Sequence, residues 1–233
     1  FPVNSDGSLG SKNLIGYVKK PLTTYGSRDD KDLPSSEYRY TFKVSADKTT
    51  LLAYHQNKEG KKLTVQLFGN NLKQIWSKDV AIPGPEDYDI VKALTDGSKA
   101  YFLISQKDKK DNPSFFIVIV NNSISEAKKN ELEPEGQNCI LSVNFKISNE
   151  GDILLTSLYQ KQMPGKKFED RGAIGYCIMR IDPATGKVTY NKAQDFEKDF
   201  LSKYETEKEL AKGEGITSLV INKVIENADK SIL

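Results

Sequence analysis

Tyr38-Arg39-Tyr40-Thr41-Phe42-Lys43-Val44, then Ser45-Ala46-Asp47-Lys48-Thr49-Thr50, then Leu51-Leu52-Ala53-Tyr54: an alternating apolar strand, a polar turn and a second apolar strand. Tyr38, Tyr40, Phe42 and Val44 fall on one face, with Arg39, Thr41, Lys43 and Ser45 on the other. That is the period of two of a strand with one buried side. The phrase returns as Ile90–Leu94, Thr95-Asp96-Gly97-Ser98-Lys99 and Ala100–Ile104, and again as Ile140–Ile147, Ser148–Asp152 and Ile153–Leu155. A last copy begins at Leu219 and stops in its second strand, at Asn227–Leu233.

Each phrase opens a longer unit. After Leu51–His55 and the charged tip Asn57–Lys62, Leu63, Val65 and Leu67 alternate; Gly69-Asn70-Asn71 offers residues tolerant of positive φ, and Leu72–Ser77 returns. The second unit keeps this order through the charged tip Lys107–Pro113 and the unbroken apolar run Phe115–Val120, a strand expected to be buried on both faces. Asn121-Asn122 turns where Asn70-Asn71 turned, which marks a repeat of about 50 residues. In the third unit Leu141, Val143, Phe145 and Ile147 alternate with polar residues, a longer tip spans Lys161–Arg171, and Ile174–Ile181 runs into the turn Asp182-Pro183-Ala184-Thr185-Gly186-Lys187. Phe196, Phe200 and Tyr204, with Leu201, recur at helical spacing until Gly213 and Gly215, which predicts one amphipathic helix capping its own domain.

Four strands in about 50 residues is the arithmetic of a propeller blade. The turn phrases Ser45–Lys48, Thr95–Ser98 and Asp182–Lys187 resemble those of WD40-like and quinoprotein-like β-propeller repeats of bacterial cell-envelope proteins. The Trp-Asp, Gly-His and double-Gly signatures of named propeller families do not occur. The resemblance implies an all-β fold: a partial β-propeller of about three four-stranded antiparallel blades with one inserted helix. The expected divisions are 1–34 (the end of a preceding blade and a loop), blades at 35–85, 86–136 and 137–193, the helix at 194–213, and the start of another blade at 214–233. The competing fold is a β-sandwich or meander of about 12 to 14 strands.

The chain has 233 residues, 37% hydrophobic and 28% charged, enough to bury a core. Lys and Arg number 34 against 32 Asp and Glu, and the signs are interspersed, so no nucleic-acid footprint is present. Phe115–Val120 is far short of the roughly 20 residues that cross a bilayer as a helix. Phe1-Pro2-Val3-Asn4 carries neither an initiator Met nor a leader, and with the abrupt other end it reads as a piece of a longer protein. The resemblance implies a periplasmic or cell-surface location.

Chemistry-bearing residues are few. Cys139 and Cys177 lack CxxC spacing; two strands apart they would be separated by about 9.6 Å, beyond disulfide reach, so free thiols are expected. The single histidine, His55, allows no paired-His metal site and leaves a Ser-His-Asp triad a single candidate base. Arg28, Asp29, Asp30 and Asp32 lack calcium-loop spacing, Glu169-Asp170 reads as a solvated tip, and Ser45-x-x-Lys48 sits in a turn. No catalytic, cofactor or metal residue is therefore assigned. Trp76, Tyr25, Tyr88 and Tyr159 lie near loop ends, where aromatics stack on sugars or anchor partners, although core packing accounts for each.

The expectation is a non-catalytic binding or scaffold module, not itself an enzyme, for an unidentified protein or glycan partner within a larger exported protein. The alternative is the propeller portion of a larger hydrolase whose catalytic residues lie outside this chain; a third reading has aromatic and carboxylate groups of several blades forming a glycosidase site. The remaining blades of the parent chain are the expected neighbours, and open blade edges predict self-association.

Overall fold

The computed structural model describes residues 40–57, 62–82, 88–107, 111–123, 127–136, 138–161, 170–227, 229, 231 and 232. Three four-stranded sheets account for most of them. The first carries β1 (Thr41–Val44), β2 (Thr50–Asn57), β3 (Lys62–Gly69) and β4 (Gln74–Ala81) side by side in chain order. The second carries β5 (Asp89–Thr95), β6 (Ala100–Lys107), β7 (Pro113–Val120) and β8 (Asn130–Leu132), and the third β9 (Asn138–Ile147), β10 (Ile153–Lys161), β11 (Gly175–Ile181) and β12 (Val188–Asp195). The chain is all-β, three antiparallel meanders of the kind that form the blades of a partial β-propeller.

The chain divides into two compact units, residues 1–86, 94–101 and 120–128 in one, and 87–93, 102–119 and 129–233 in the other. In the first unit Leu52, Leu63, Val65, Leu67 and Val80 are fully buried, and Trp76 donates its indole N–H to the Ser98 carbonyl at 3.0 Å. In the second, Phe102, Phe116, Ile117, Ile153, Leu155, Met179 and Ile181 are equally inaccessible. The apolar run of β7 is buried from Phe116 to Val120 on both faces, as its lack of alternation predicts.

Side-chain carboxylates shape the turns. Asp47 accepts the Thr49 amide and hydroxyl, Asp96 the Ser98 amide and hydroxyl, and Asp229 the Ser231 amide and hydroxyl. This Asp-x-Ser/Thr device is an Asx turn, in which the side chain mimics a backbone turn. Asn71 and Asn121 each accept the amide two residues on, so the equivalence between these turns is offset by one residue from the pairing of Asn70-Asn71 with Asn121-Asn122. The positive φ of the first turn falls on Leu72, at 59°, instead of Gly69, Asn70 or Asn71.

Three expectations are corrected. β1 is exposed along its whole length, with Phe42 at 48% and Val44 at 62%, because among the described residues it is an edge strand with only β2 beside it. The single helix is replaced by two short ones, α1 (Lys198–Leu201) and α2 (Glu207–Ala211), while β12 runs on to Asp195. Thr206 is extended, with φ −74° and ψ 158°, and forms a capping box with Glu209 that starts a new helix. The last copy keeps its turn, Asn227 N–H to Ser231 O at 2.9 Å, but among the described residues forms only an isolated bridge, Glu226 to Ile232. Residues 1–39, with Tyr25, Arg28, Asp29, Asp30 and Asp32, lie outside the described residues, as does Glu169.

Candidate functional site

At one end of the third sheet the strands leave a groove of about 410 Å³. β10 brings Lys161, the bend before β11 brings Ile174, and β12 ends in Asp195 followed by Phe196. α1 contributes Lys198 and Leu201, and α2 contributes Glu207, Leu210 and Ala211 before Gly213 and Glu214 close the rim. The volume lies within the roughly 300–1,000 Å³ of small-ligand sites, and an apolar floor with a few polar groups is their usual lining.

Asp195 is held from behind. Tyr159, almost wholly buried on β10, lies opposite Gly175 on β11, and Gly175 lies opposite Asp195 on β12. Because Gly175 has no side chain, the Tyr159 ring passes over it and its hydroxyl donates to Asp195 Oδ1. Burial, and then the carboxylate beside it, pushes the Tyr159 hydroxyl well above the ordinary phenol range, so it stays a donor. Asp195 Oδ2 lies 3.8 Å from Lys161 Nζ, and both side chains are largely exposed, at 61% and 66%. An exposed pair of this kind contributes at most about 1 kcal/mol to stability. Its groups are open to exchange with a ligand.

Phe196, which lines the groove, belongs to an aromatic row. Tyr176, Phe196, Phe200 and Tyr204 follow one another with ring centroids 6.1, 5.2 and 5.4 Å apart. The helical spacing of Phe196, Phe200 and Tyr204 survives the break between the helices as this row, with Tyr204 and Tyr176 exposed at its ends. Behind it the segment is pinned by Gly215 N–H to Arg171 O at 2.6 Å and by the bridge between Ala173 and Ile216. A Cβ at Gly172 or Gly215 would run into the facing backbone.

A second charged cluster is structural. Arg180 meets Glu226 at 2.9 Å, Asp152 at 3.4 Å and Glu150 at 3.5 Å, and the Glu226 side chain is only 1% exposed. Burial opposes the Glu226 charge, but the Asn149 amide and Arg180 outweigh it and hold the carboxyl below its ordinary range. The cluster ties the segment around Glu226 to the β9–β10 turn.

The other residues singled out in the sequence are committed elsewhere. Cys139 begins β9 and Cys177 lies in β11 with β10 between them, both free and buried. Burial, with Asp170 beside it, pushes the Cys139 thiol up to about 11, and Cys177 shares a 2.9 Å contact with Ser157, so both are poor nucleophiles. His55 is buried in β2 against Tyr40, and Ser45 is bonded to Asp47 in its turn. Asp170 accepts the Gly172 amide. Trp76, Tyr88 and Tyr159 are buried and pack as core. Of the described aromatics among them, Tyr159 touches the groove through Asp195, and Asp195, Lys161, Glu207 and Glu214 were not legible as a set. Among the described residues no helix is long and apolar enough to cross a membrane and no group of metal-binding side chains assembles.

No known family matches the sequence, and no curated protein does. Solved structures resemble it weakly. A GH43 β-1,3-galactosidase with galactodeoxynojirimycin is 9% identical, with 69% of this chain and 46% of that one covered and a TM-score of 0.38. A GH43 β-xylosidase/α-arabinofuranosidase from a compost microbial metagenome, with xylotriose, is 13% identical over 67% and 58% at 0.37. The GH43_1 enzyme from Xanthomonas citri with xylose is 10% identical over 67% and 54% at 0.38. The chain spans about half the length of these structures. All three are named as glycoside hydrolases, so the expectation that this chain is no enzyme is withdrawn; at these TM-scores the likeness assigns no activity in its place.

Proposed function

We propose that the chain is the propeller portion of a larger hydrolase and that the groove of the third sheet holds part of its substrate. One observation carries the reading: Asp195, Glu207 and Glu214 stand around an open, apolar-floored groove with Lys161 and Lys198 at its edge. Carboxylates beside a substrate groove are the groups that hydrolases use to bind hydroxyls and move protons. The described serine, cysteine and histidine candidates Ser45, Ser157, Cys139, Cys177 and His55 are taken up by turns and core, so the hydrolytic groups are assigned to other parts of the larger protein.

The test is turnover by the longer protein on a panel of p-nitrophenyl glycosides and esters, with heat-denatured protein as the blank. The expected result is turnover in one class, with Glu207→Gln lowering kcat/KM. Turnover of neither class by a folded longer protein overturns the reading.

A further inference from the structure

We infer that the groove binds a neutral sugar ring, with Asp195 and Lys161 as paired hydroxyl anchors and Tyr159 as the positioning residue behind Asp195. The inference names a substrate class for the hydrolase reading and rests on the same groove, but its test needs no turnover.

The donor set selects the ligand. Asp195 Oδ2 and Lys161 Nζ stand 3.8 Å apart, well beyond the roughly 2.7–2.9 Å of a direct charge-assisted hydrogen bond. A carboxylate accepts and an ammonium donates, whereas a hydroxyl does both. Neighbouring hydroxyls on one ring therefore match this pair, donating to Asp195 and accepting from Lys161. The rim as a whole holds three carboxylates, Asp195, Glu207 and Glu214, against Lys161 and Lys198, with Lys212 3.8 Å from Glu214 balancing the third. A phosphate or carboxylate ligand would meet no surplus of positive charge there. An amino ligand would have to compete with Lys161 for Asp195. The floor made by Ile174, Phe196, Leu201 and Leu210 is apolar, the complement of the C–H face of a pyranose rather than of its hydroxyl edge.

Preorganisation supports the same ligand. The Tyr159 hydroxyl occupies Asp195 Oδ1, so the carboxylate is fixed with Oδ2 toward Lys161 before any ligand arrives. Fixing an anchor in advance removes an ordering cost that weak sugar ligands are poorly able to offset.

The test is saturation-transfer NMR and calorimetry on the 233-residue chain with methyl β-pyranosides of xylose, glucose and galactose, and with glucuronate and glucosamine as charged controls. Saturable binding of a neutral pyranoside is expected, with both charged sugars binding about tenfold more weakly, the discrimination expected of one charged hydrogen bond. Lys161→Met and Asp195→Asn are each expected to lose about tenfold. Lys161 is largely exposed, so its replacement leaves the fold intact as a control. Tyr159→Phe should weaken binding in the wild-type background and add nothing to Asp195→Asn, a non-additivity that a merely structural tyrosine would not show. Absence of saturable binding by all three neutral pyranosides, or wild-type affinity in Lys161→Met, overturns the inference. Turnover of glycosides by the longer protein without pyranoside binding here would leave the hydrolase reading and sink this one; binding without turnover does the reverse.

Discussion

Gly175 lies between Tyr159 and Asp195 on three adjacent strands, and a Cβ there would run into the Tyr159 ring and the Gln194 carbonyl. The buried position cannot relax outward, so Gly175→Ala should cost about 1–3 kcal/mol as overpacking. The measurement is the urea midpoint; an unchanged midpoint would mean that the ring is free to move aside. The opposite sign is expected at Lys48, which holds φ at 60° in an exposed turn. A left-handed L-residue is strained by about 1–2 kcal/mol, part of which glycine returns through its larger unfolded-state entropy. Lys48→Gly should therefore raise stability by up to about 1 kcal/mol in the same titration. Neither position could be read from the sequence. Gly175 sits inside an apolar run, and the Lys48 turn offers Asp47 as an equally good left-handed candidate.

The strands were legible because their pattern is local: alternation in Leu63–Leu67, and unbroken apolarity in Phe115–Val120, each decide an element without reference to distant residues. The helix at 194–213 was misread for the same reason, since the aromatic spacing of four runs to Tyr204 and no Pro or Gly follows before Gly213, while the capping box at Thr206 that divides the segment is a pair of side-chain contacts. Thr206→Ala should cost about 1 kcal/mol in α2, visible as faster amide exchange over residues 207–211 than over β10. The Asx turns add a pH dependence. Burial would raise the Asp96 carboxyl, but the Tyr101 hydroxyl and the Lys99 and Ser98 amides outweigh it and hold it below its ordinary range. A depressed carboxylate contributes stability that is complete above its unfolded value of about 3.9 and is lost as pH falls through the folded value. Asp96→Asn should thus lower stability at neutral pH by an amount on the order of 1 kcal/mol and flatten the acid limb below about pH 4. An acid limb identical to wild type would show that Asp96 carries no differential charge.

Across the whole chain the blade unit was readable and the groove was not. The unit repeats, so each copy corroborates the others. The groove draws on positions from Lys161 to Glu214, contributed by two strands, two short helices and the bends between them, and its anchors look in sequence like any solvated charges. Two edge strands, β1 of the first sheet and β12 of the third, differ in a way that bears on association. Along β12, Asn191 donates to the Glu133 carbonyl at 2.8 Å and Ala193 donates to Glu135, so residues 133–135 blunt that edge. β1 offers Phe42 and Val44 to solvent beside a backbone edge that no other described strand pairs with, the combination from which strands add to other chains. Self-association of this chain should therefore run through β1. Light scattering during gel filtration should show a mass that climbs with concentration, and Val44→Lys, which places a charge on the edge without touching the core, should return it to the monomer. A mass that climbs equally in Val44→Lys would move the contact elsewhere, and a constant monomer mass would mean that β1 is covered within the chain itself.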